Sequence, residues 1–287
     1  MTWTLSEDNA AFITAAGPFL ATRPDAHTLL ISIAEAVRVG GADRYGATPP
    51  RYGWWRGSDG AVAAAFLWTP PYPLHLTPMT DGVAADLATL LRDGGGPAVS
   101  RVAGPESAAR AFAARWLRDG GAAEVRSRQR LYRLGDLVPP RPAPPGIARR
   151  ATAADRALLL DWFVAYHRAI GEDPTGSART LDAQLARGGC TLWEVDGVPV
   201  SMAGATGASG GMVRIGGVYT PEALRGRGYA SALVAAVSAA ARSAGAAHVL
   251  LFTDLANPTT NALYPRLGYL AVEDRVALAW ETAPISA

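Results

Sequence analysis

The chain contains no lysine; all 27 of its Lys+Arg residues are arginine. Catalysis through a lysine Schiff base and lysine-anchored pyridoxal phosphate are thereby excluded. A nucleoside triphosphate loop is excluded too, because its glycine-rich turn must run into Lys-Ser/Thr. Cysteine is nearly as scarce. Cys190 stands alone, so neither an intrachain disulfide nor a cysteine-rich metal centre can form, and the residue reads as a small apolar strand position. Long apolar runs are missing as well: the most continuous stretch, 229–244, is mostly alanine and serine and shorter than the ~20 residues of a membrane span. Near the start stand Glu7 and Asp8, with no basic residues leading into an apolar segment, which predicts a cytoplasmic protein without a signal peptide or membrane association. The net charge is only +2 and the arginines are scattered rather than blocked, which predicts no nucleic-acid partner.

What is present is a globular composition, 49% hydrophobic and 18% charged over 287 residues, enough for one large or two medium domains. Val138-Pro139-Pro140-Arg141-Pro142-Ala143-Pro144-Pro145-Gly146 can form neither helix nor sheet. It predicts domains over 1–138 and 147–287 joined by a proline-rich linker at 139–146. In the second domain the periodicity predicts a strand at 147–150, helices at 153–170 and 178–187, and a hairpin joining 191–195 to 198–205 through Asp196-Gly197. A strand at 213–220, a helix at 229–244, a strand at 248–253, a short helix and two closing strands follow. The first domain reads similarly: a helix at 28–39, a hairpin joining 52–56 to 62–69, a strand at 74–77 and a helix at 81–92. A strand at 99–102, a helix at 106–117 and a closing strand at 125–134 complete it, a pattern that indicates an internal duplication.

The densest chemistry lies in Arg225-Gly226-Arg227-Gly228-Tyr229-Ala230, between a predicted strand and a predicted helix. Gly226 and Gly228 can adopt backbone angles closed to other residues, and they carry no side chain to hold a diphosphate off the main chain. Successive N–H groups then form an anion nest, reinforced by about half a positive charge at the helix N-terminus. Arg225 and Arg227 add full charges. A dinucleotide site would require a third glycine, which this turn lacks, although Asp254 does end the next apolar run.

Downstream, Asn257-Pro258-Thr259-Thr260-Asn261-Ala262-Leu263-Tyr264 reads as an N-cap, a proline at the first helical position and a helix ended by Gly268. Asn261 and Tyr264, three residues apart, share one face. Taken singly, Asn257 is a cap and Tyr264 a core aromatic.

Together, Val-Tyr-Thr-Pro-x-x-x-Arg-Gly-x-Gly-Tyr-Ala followed by Asn-x-x-x-Asn-Ala-Leu-Tyr-x-x-x-Gly-Tyr resembles the GNAT superfamily of acyl-coenzyme A-dependent N-acetyltransferases, over roughly the C-terminal half of the chain. The resemblance implies an α/β (α+β) fold of two tandem GNAT-like domains, each a mixed, mostly antiparallel twisted sheet flanked by helices. It implies that Arg225, Gly226, Arg227, Gly228, Tyr229 and Ala230 bind the pyrophosphate of acetyl-CoA. Val218, Tyr219 and Thr220 would pair with the pantetheine arm through their backbone, Asn257 and Asn261 would contact the coenzyme, and Tyr264 would meet the sulfur. Acyl transfer from a thioester to an amine expels a thiolate, and a phenol with an ordinary pKa of about 10 keeps a proton to give it. No metal is required.

The attacking amine must also lose a proton. Candidate acceptors are Glu172, Asp173, His167, Glu194 and Asp254, each of which also has an ordinary structural role open to it; Glu172 is preferred because the family sets the segment between its first two helices against the acceptor. In the first domain, 77–83 has neither paired glycines nor arginine, and Phe112 or Trp116 falls where Tyr264 stands. That half is therefore predicted to be degenerate, with Trp54, Trp55 and Trp68 as core or wall residues. The expected activity is acetyl transfer to the primary amine of a small molecule by a monomer or homodimer. A non-catalytic acyl-CoA sensor or scaffold is the alternative.

Overall fold

Short apolar runs bounded by glycine or proline form the strands, and longer runs of 3.6-residue periodicity form the helices, in a computed structural model that describes residues 1–171 and 173–281. The chain divides into two units. The first comprises Met1–Leu131, Asp254–Ala256 and the described residues from Val272 on; the second comprises Tyr132–Thr253 and Asn257–Ala271.

The first unit contains β1 (Thr2–Ser6), α1 (Asn9–Thr22), α2 (Thr28–Gly40), β2 (Arg51–Arg56), β3 (Val62–Trp68), β4 (Leu74–Leu76), α3 (Asp81–Asp93), β5 (Arg101–Pro105) and α4 (Glu106–Trp116). β6 (Glu124–Leu134) begins in this unit and ends in the second. The second unit continues with β7 (Ile147–Arg150), α5 (Arg156–Ala169), α6 (Ser177–Ala186), β8 (Cys190–Val195), β9 (Val198–Ala205), β10 (Met212–Tyr219) and α7 (Tyr229–Ser243). β11 (His248–Asp254), α8 (Pro258–Arg266) and β12 (Tyr269–Ala279) complete the chain.

In the first unit the strand order is β1-β2-β3-β4-β5-β12, with Arg275–Ala279 of β12 antiparallel to β5; in the second it is β7-β8-β9-β10-β11. Neighbours in both sheets run antiparallel except the pair that brackets a helix, β4/β5 about α3 and β10/β11 about α7. The same succession of strand, two helices, three strands, helix, strand and helix thus occurs twice. Each sheet is packed on both faces. In the first unit Phe12, Leu30, Tyr52 and Trp54 form one core and Phe66, Leu74, Leu87 and Phe112 the other. In the second, Leu159, Phe163, Leu181 and Met202 lie under α5 and α6, while Leu233, Val234, Val249 and Tyr264 lie under α7 and α8. Each fully buried side chain of this kind contributes roughly 1.5–3 kcal/mol.

The structure departs from the sequence reading in three places. β1 and α1 were not expected. Gly17-Pro18 in the middle of α1 reads as a break, yet the helix passes through it, started by Asp8, whose carboxylate accepts from the N–H groups of Ala10 (2.7 Å) and Ala11 (3.3 Å). Instead of two closing strands there is one of eleven residues, because Tyr269–Ala279 contains no glycine or proline to turn it. Finally, the units divide within β6, between Leu131 and Tyr132, and the proline-rich segment belongs to the second unit. It is held there rather than left free: Trp193 Nε1 donates to the Pro145 carbonyl (2.9 Å), and Val138 N–H to that of Leu267 (3.0 Å).

Candidate functional site

β10 and β11 pair only from Met212↔His248 to Ile215↔Leu251. Immediately beyond, β10 bulges. Against β9, Gly216 faces Gly204, but the next pair is Tyr219↔Met202, so three steps along β10 match two along β9. Gly217 sits at φ +60, a left-handed conformation that favours glycine, and a Cβ there would stand 3.9 Å from the Phe163 ring. The bulge carries the backbone of Val218, Tyr219 and Thr220 beyond the end of the β10/β11 ladder. Ser201, fully buried, secures the bulge from the β9 side: its hydroxyl donates to the Tyr219 carbonyl (3.0 Å) and lies 2.9 Å from the Thr220 hydroxyl. No motif in the sequence marks Ser201; only the register shift identifies it.

The strand leads into the glycine turn. Gly226 (φ +76) and Gly228 (φ +81) both lie in the left-handed region, and no atom lies within 4 Å of a Cβ built on Gly226. Gly228 is the N-cap of α7 and supplies no capping side chain. The first N–H groups of α7 therefore have no intrahelical acceptor and point out of the helix end with its positive partial charge. Arg225 donates through Nε to the Thr220 carbonyl (3.1 Å) and Arg227 through Nη2 to that of Ala223 (3.3 Å), which ties the turn while both side chains stay exposed. Tyr229 turns its ring into the core, so of this residue only the backbone faces the turn. Ala230, half-buried, keeps the first helical turn narrow.

Asn257 caps α8 as expected, its Oδ1 accepting from Thr260 N–H (3.2 Å), and Asn261 reinforces the cap by donating Nδ2 to the Asn257 carbonyl (2.8 Å). Tyr264 is buried between Tyr132 and Tyr269, with ring centroids at 6.1 and 5.9 Å. Burial, with a smaller contribution from the neighbouring Tyr166 and Tyr269 phenols, pushes its pKa well above the ordinary tyrosine value. Its proton is held firmly across the whole physiological range.

Of the expected proton acceptors, Glu172 lies outside the described residues. Glu194 is committed elsewhere: Arg149 binds it and also grips Asp155 by two bonds of 2.8 Å. Asp173 accepts from Thr175 N–H (2.9 Å), and Asp254 from Ala256 N–H (2.8 Å), both in tight turns. His167 stands on α5 with Nδ1 3.0 Å from the Ser177 hydroxyl. Cys190 is buried and its thiol pKa is raised to about 11 by desolvation, which suits a packing role. Among the described residues, no group of three or more His, Cys, Asp or Glu is placed to hold a metal ion, and no helix is long and apolar enough to cross a membrane.

The first unit lacks each of these features at the corresponding place. β4 continues its ladder with β3 without a bulge, because Thr77 N–H donates to the Ala65 carbonyl (3.0 Å) and its hydroxyl accepts from Ala65 N–H (2.9 Å). β5 presses on β4, so that a Cβ on Gly104 would come within 2.9 Å of Leu76 Cβ. Arg275, 6% exposed and paired with Glu273, donates to the Leu76 carbonyl (3.3 Å) and fills the same region. The first turn of α3 already carries the Asp81 carboxylate. Phe112 and Trp116 stack at 5.9 Å in the core that also buries Trp68; Trp54 is buried in the other core of this unit, and Trp55 is half-buried.

A strand that bulges away from its parallel neighbour, a glycine turn and an uncapped helix end thus follow one another in the second unit. In agreement, residues 156–269 match the acetyltransferase (GNAT) family. The match to a GNAT acetyltransferase domain is confined to those residues, and the chain as a whole has a tandem GNAT fold. A tandem GNAT protein from the clavulanic acid biosynthesis pathway is similar at TM-score 0.57 and 12% identity, with 99% of each chain covered. A GNAT-family acetyltransferase from Colwellia psychrerythraea superposes at TM-score 0.60 and 12% identity over 98% of this chain and 100% of its own. A GCN5-related N-acetyltransferase from Sphaerobacter thermophilus does so at 0.59 and 17% identity over 96% and 94%. No curated protein matches the sequence.

Proposed function

We propose that the second unit transfers an acetyl group from acetyl-CoA to a primary amine of a small molecule, by direct attack on the thioester. The observation that carries this reading is the continuity of the bulged strand, the Arg225–Ala230 turn and the open end of α7 with a buried tyrosine in the same unit. Acetyl-CoA supplies the acetyl group as an activated thioester. The backbone of Val218, Tyr219 and Thr220, beyond the β10/β11 ladder, would pair with the pantetheine arm, while Arg225, Gly226, Arg227, Gly228, Tyr229 and Ala230 would cradle the diphosphate, with Arg225 and Arg227 swinging from their carbonyl partners onto its oxygens. Asn257 has an exposed side chain whose Nδ2 can donate to a pantetheine carbonyl, and Asn261 fixes that cap in place.

In the reaction the amine nitrogen forms the C–N bond as the C–S bond breaks. The electron pair of that bond goes to sulfur, where the Tyr264 hydroxyl stabilises it and gives up its own proton, which the phenolate then regains from solvent. The proton lost by the amine leaves through a neighbouring base, for which Glu172 is the choice, or through water. A purely coenzyme-binding protein would have no use for a proton donor buried at this point, and this favours catalysis over a sensor or scaffold.

The first unit would be structural, so one coenzyme should bind per chain. Release of free thiol from acetyl-CoA in the presence of a panel of primary amines, with the acetylated product identified by mass, tests the activity. Calorimetry with CoA tests the stoichiometry. Binding without turnover of any amine would sink the catalytic reading, and two equivalent sites would sink the degeneracy of the first unit.

A further inference from the structure

The face of α5 that packs on β10 carries aromatic rings that pack against the core yet are only partly covered by it. Phe163 is buried against Gly217 of the bulge, but Trp162 and Tyr166 remain half-exposed, as does Tyr219 just past it. The Trp162 and Tyr219 rings are 6.2 Å apart and inclined at 54°, and Tyr166 meets His167 edge-on at 5.4 Å. This wall borders the bulge whose backbone would hold the pantetheine arm, and the Tyr166 phenol acts electrostatically on Tyr264.

Several carboxylates of the described residues in this unit are paired, whereas Asp161, beside Trp162 on α5, stays exposed. Asp155 and Glu194 are both held by Arg149, Asp182 is held by Arg156, and Asp173 is turned onto a backbone N–H. A polycationic acceptor needs unpaired carboxylates in its site, whereas an aryl group needs ring faces and edges, each such contact adding about 0.5–1.5 kcal/mol beyond area burial. An approaching ammonium is also tolerated over an aromatic face.

We infer that the acceptor is a primary amine carried on an aryl or arylalkyl group, seated against Trp162, Tyr166 and Tyr219. The inference rests on the acyl-transfer reading above. It is tested by comparing phenethylamine with 2-cyclohexylethylamine, equal in carbon number and apolar but without a ring face, and with spermidine. The expected result is a kcat/KM about tenfold higher for phenethylamine than for the cyclohexyl compound, with spermidine poorer than either. Trp162→Leu should remove that preference mainly through KM, with CoA affinity unchanged by calorimetry, and Trp162→Phe should largely restore it.

Equal use of the two apolar amines, or a preference for spermidine, would overturn the inference while leaving acetyl transfer intact. If no amine is acetylated, the acyl-transfer reading falls, and calorimetric titration of phenethylamine into CoA-saturated protein still decides the present point. Binding that Trp162→Leu abolishes supports the aromatic wall, and absence of binding refutes it.

Discussion

Tyr264→Phe removes one oxygen and leaves the ring in place among Tyr132 and Tyr269, so it isolates the proton donor from packing. A positioned general acid contributes about 10²–10⁴-fold, which corresponds to roughly 3–5 kcal/mol of transition-state free energy. That loss should fall on kcat, measured by thiol release at saturating acetyl-CoA and amine, while the calorimetric Kd for CoA changes less than about threefold. The pH dependence sharpens the test. Burial raises the phenol pKa well above the ordinary value of about 10, so the donor stays protonated throughout the alkaline range in which activity is measured. Wild-type kcat should therefore show no falling limb between about pH 8 and 10 that disappears in Tyr264→Phe. Such a limb, or full turnover in the variant, would refute the assignment of Tyr264.

Gly226→Ala meets no neighbouring atom, so its whole cost is the left-handed backbone, about 1–2 kcal/mol, expected as lower stability to denaturant together with weaker CoA binding. Ser201→Ala leaves the Tyr219 carbonyl without its buried partner and should cost about 1–3 kcal/mol in the same unfolding measurement, with CoA affinity reduced because the bulge is no longer held. The Arg149 guanidinium holds the Asp155 carboxyl well below the usual carboxylate range. The stability this pairing provides is complete above the unfolded-state pKa of about 4 and is lost as pH falls below it. Arg149→Met should flatten that acid dependence and, since Arg149 is about a third exposed, lower neutral-pH stability by only about 1–2 kcal/mol, read from urea melts at pH 7 and pH 3.

Local chemistry decided which parts of the molecule could be read in advance. The Arg225–Ala230 turn and the Asn257 cap are dictated by residues a few positions apart, so strand, turn and helix were legible together with the α8 cap. The β10 bulge was not, because it is defined by register against β9: the strand expected over 213–220 runs through Gly216-Gly217 without a break until Met202 is seen opposite Tyr219. Ser201 and the aromatic face of α5 escaped notice for the same reason, since their partners lie 18 and more residues away. α1 was hidden by Gly17-Pro18, whose local preference is overruled by burial of Phe12, Ala16 and Leu20. Glu194 looked available in sequence only because Arg149 lies 45 residues before it.

β12 carries a consequence for how the chain is made. Val276 and Leu278 belong to the same core as Phe66, Leu87 and Phe112, and Arg275–Ala279 completes the sheet beside β5. Sequence separations from 170 residues (Pro105 to Arg275) to 178 residues (Arg101 to Ala279) therefore link β5 of the first unit to β12. On the ribosome, the half that emerges first cannot close its hydrophobic core until nearly the whole chain has been translated, so the usual order of vectorial folding is reversed. A nascent first half would wait with the edge of β5 open, and a stop codon placed just before Val272 would unravel the end of the protein that had been made first.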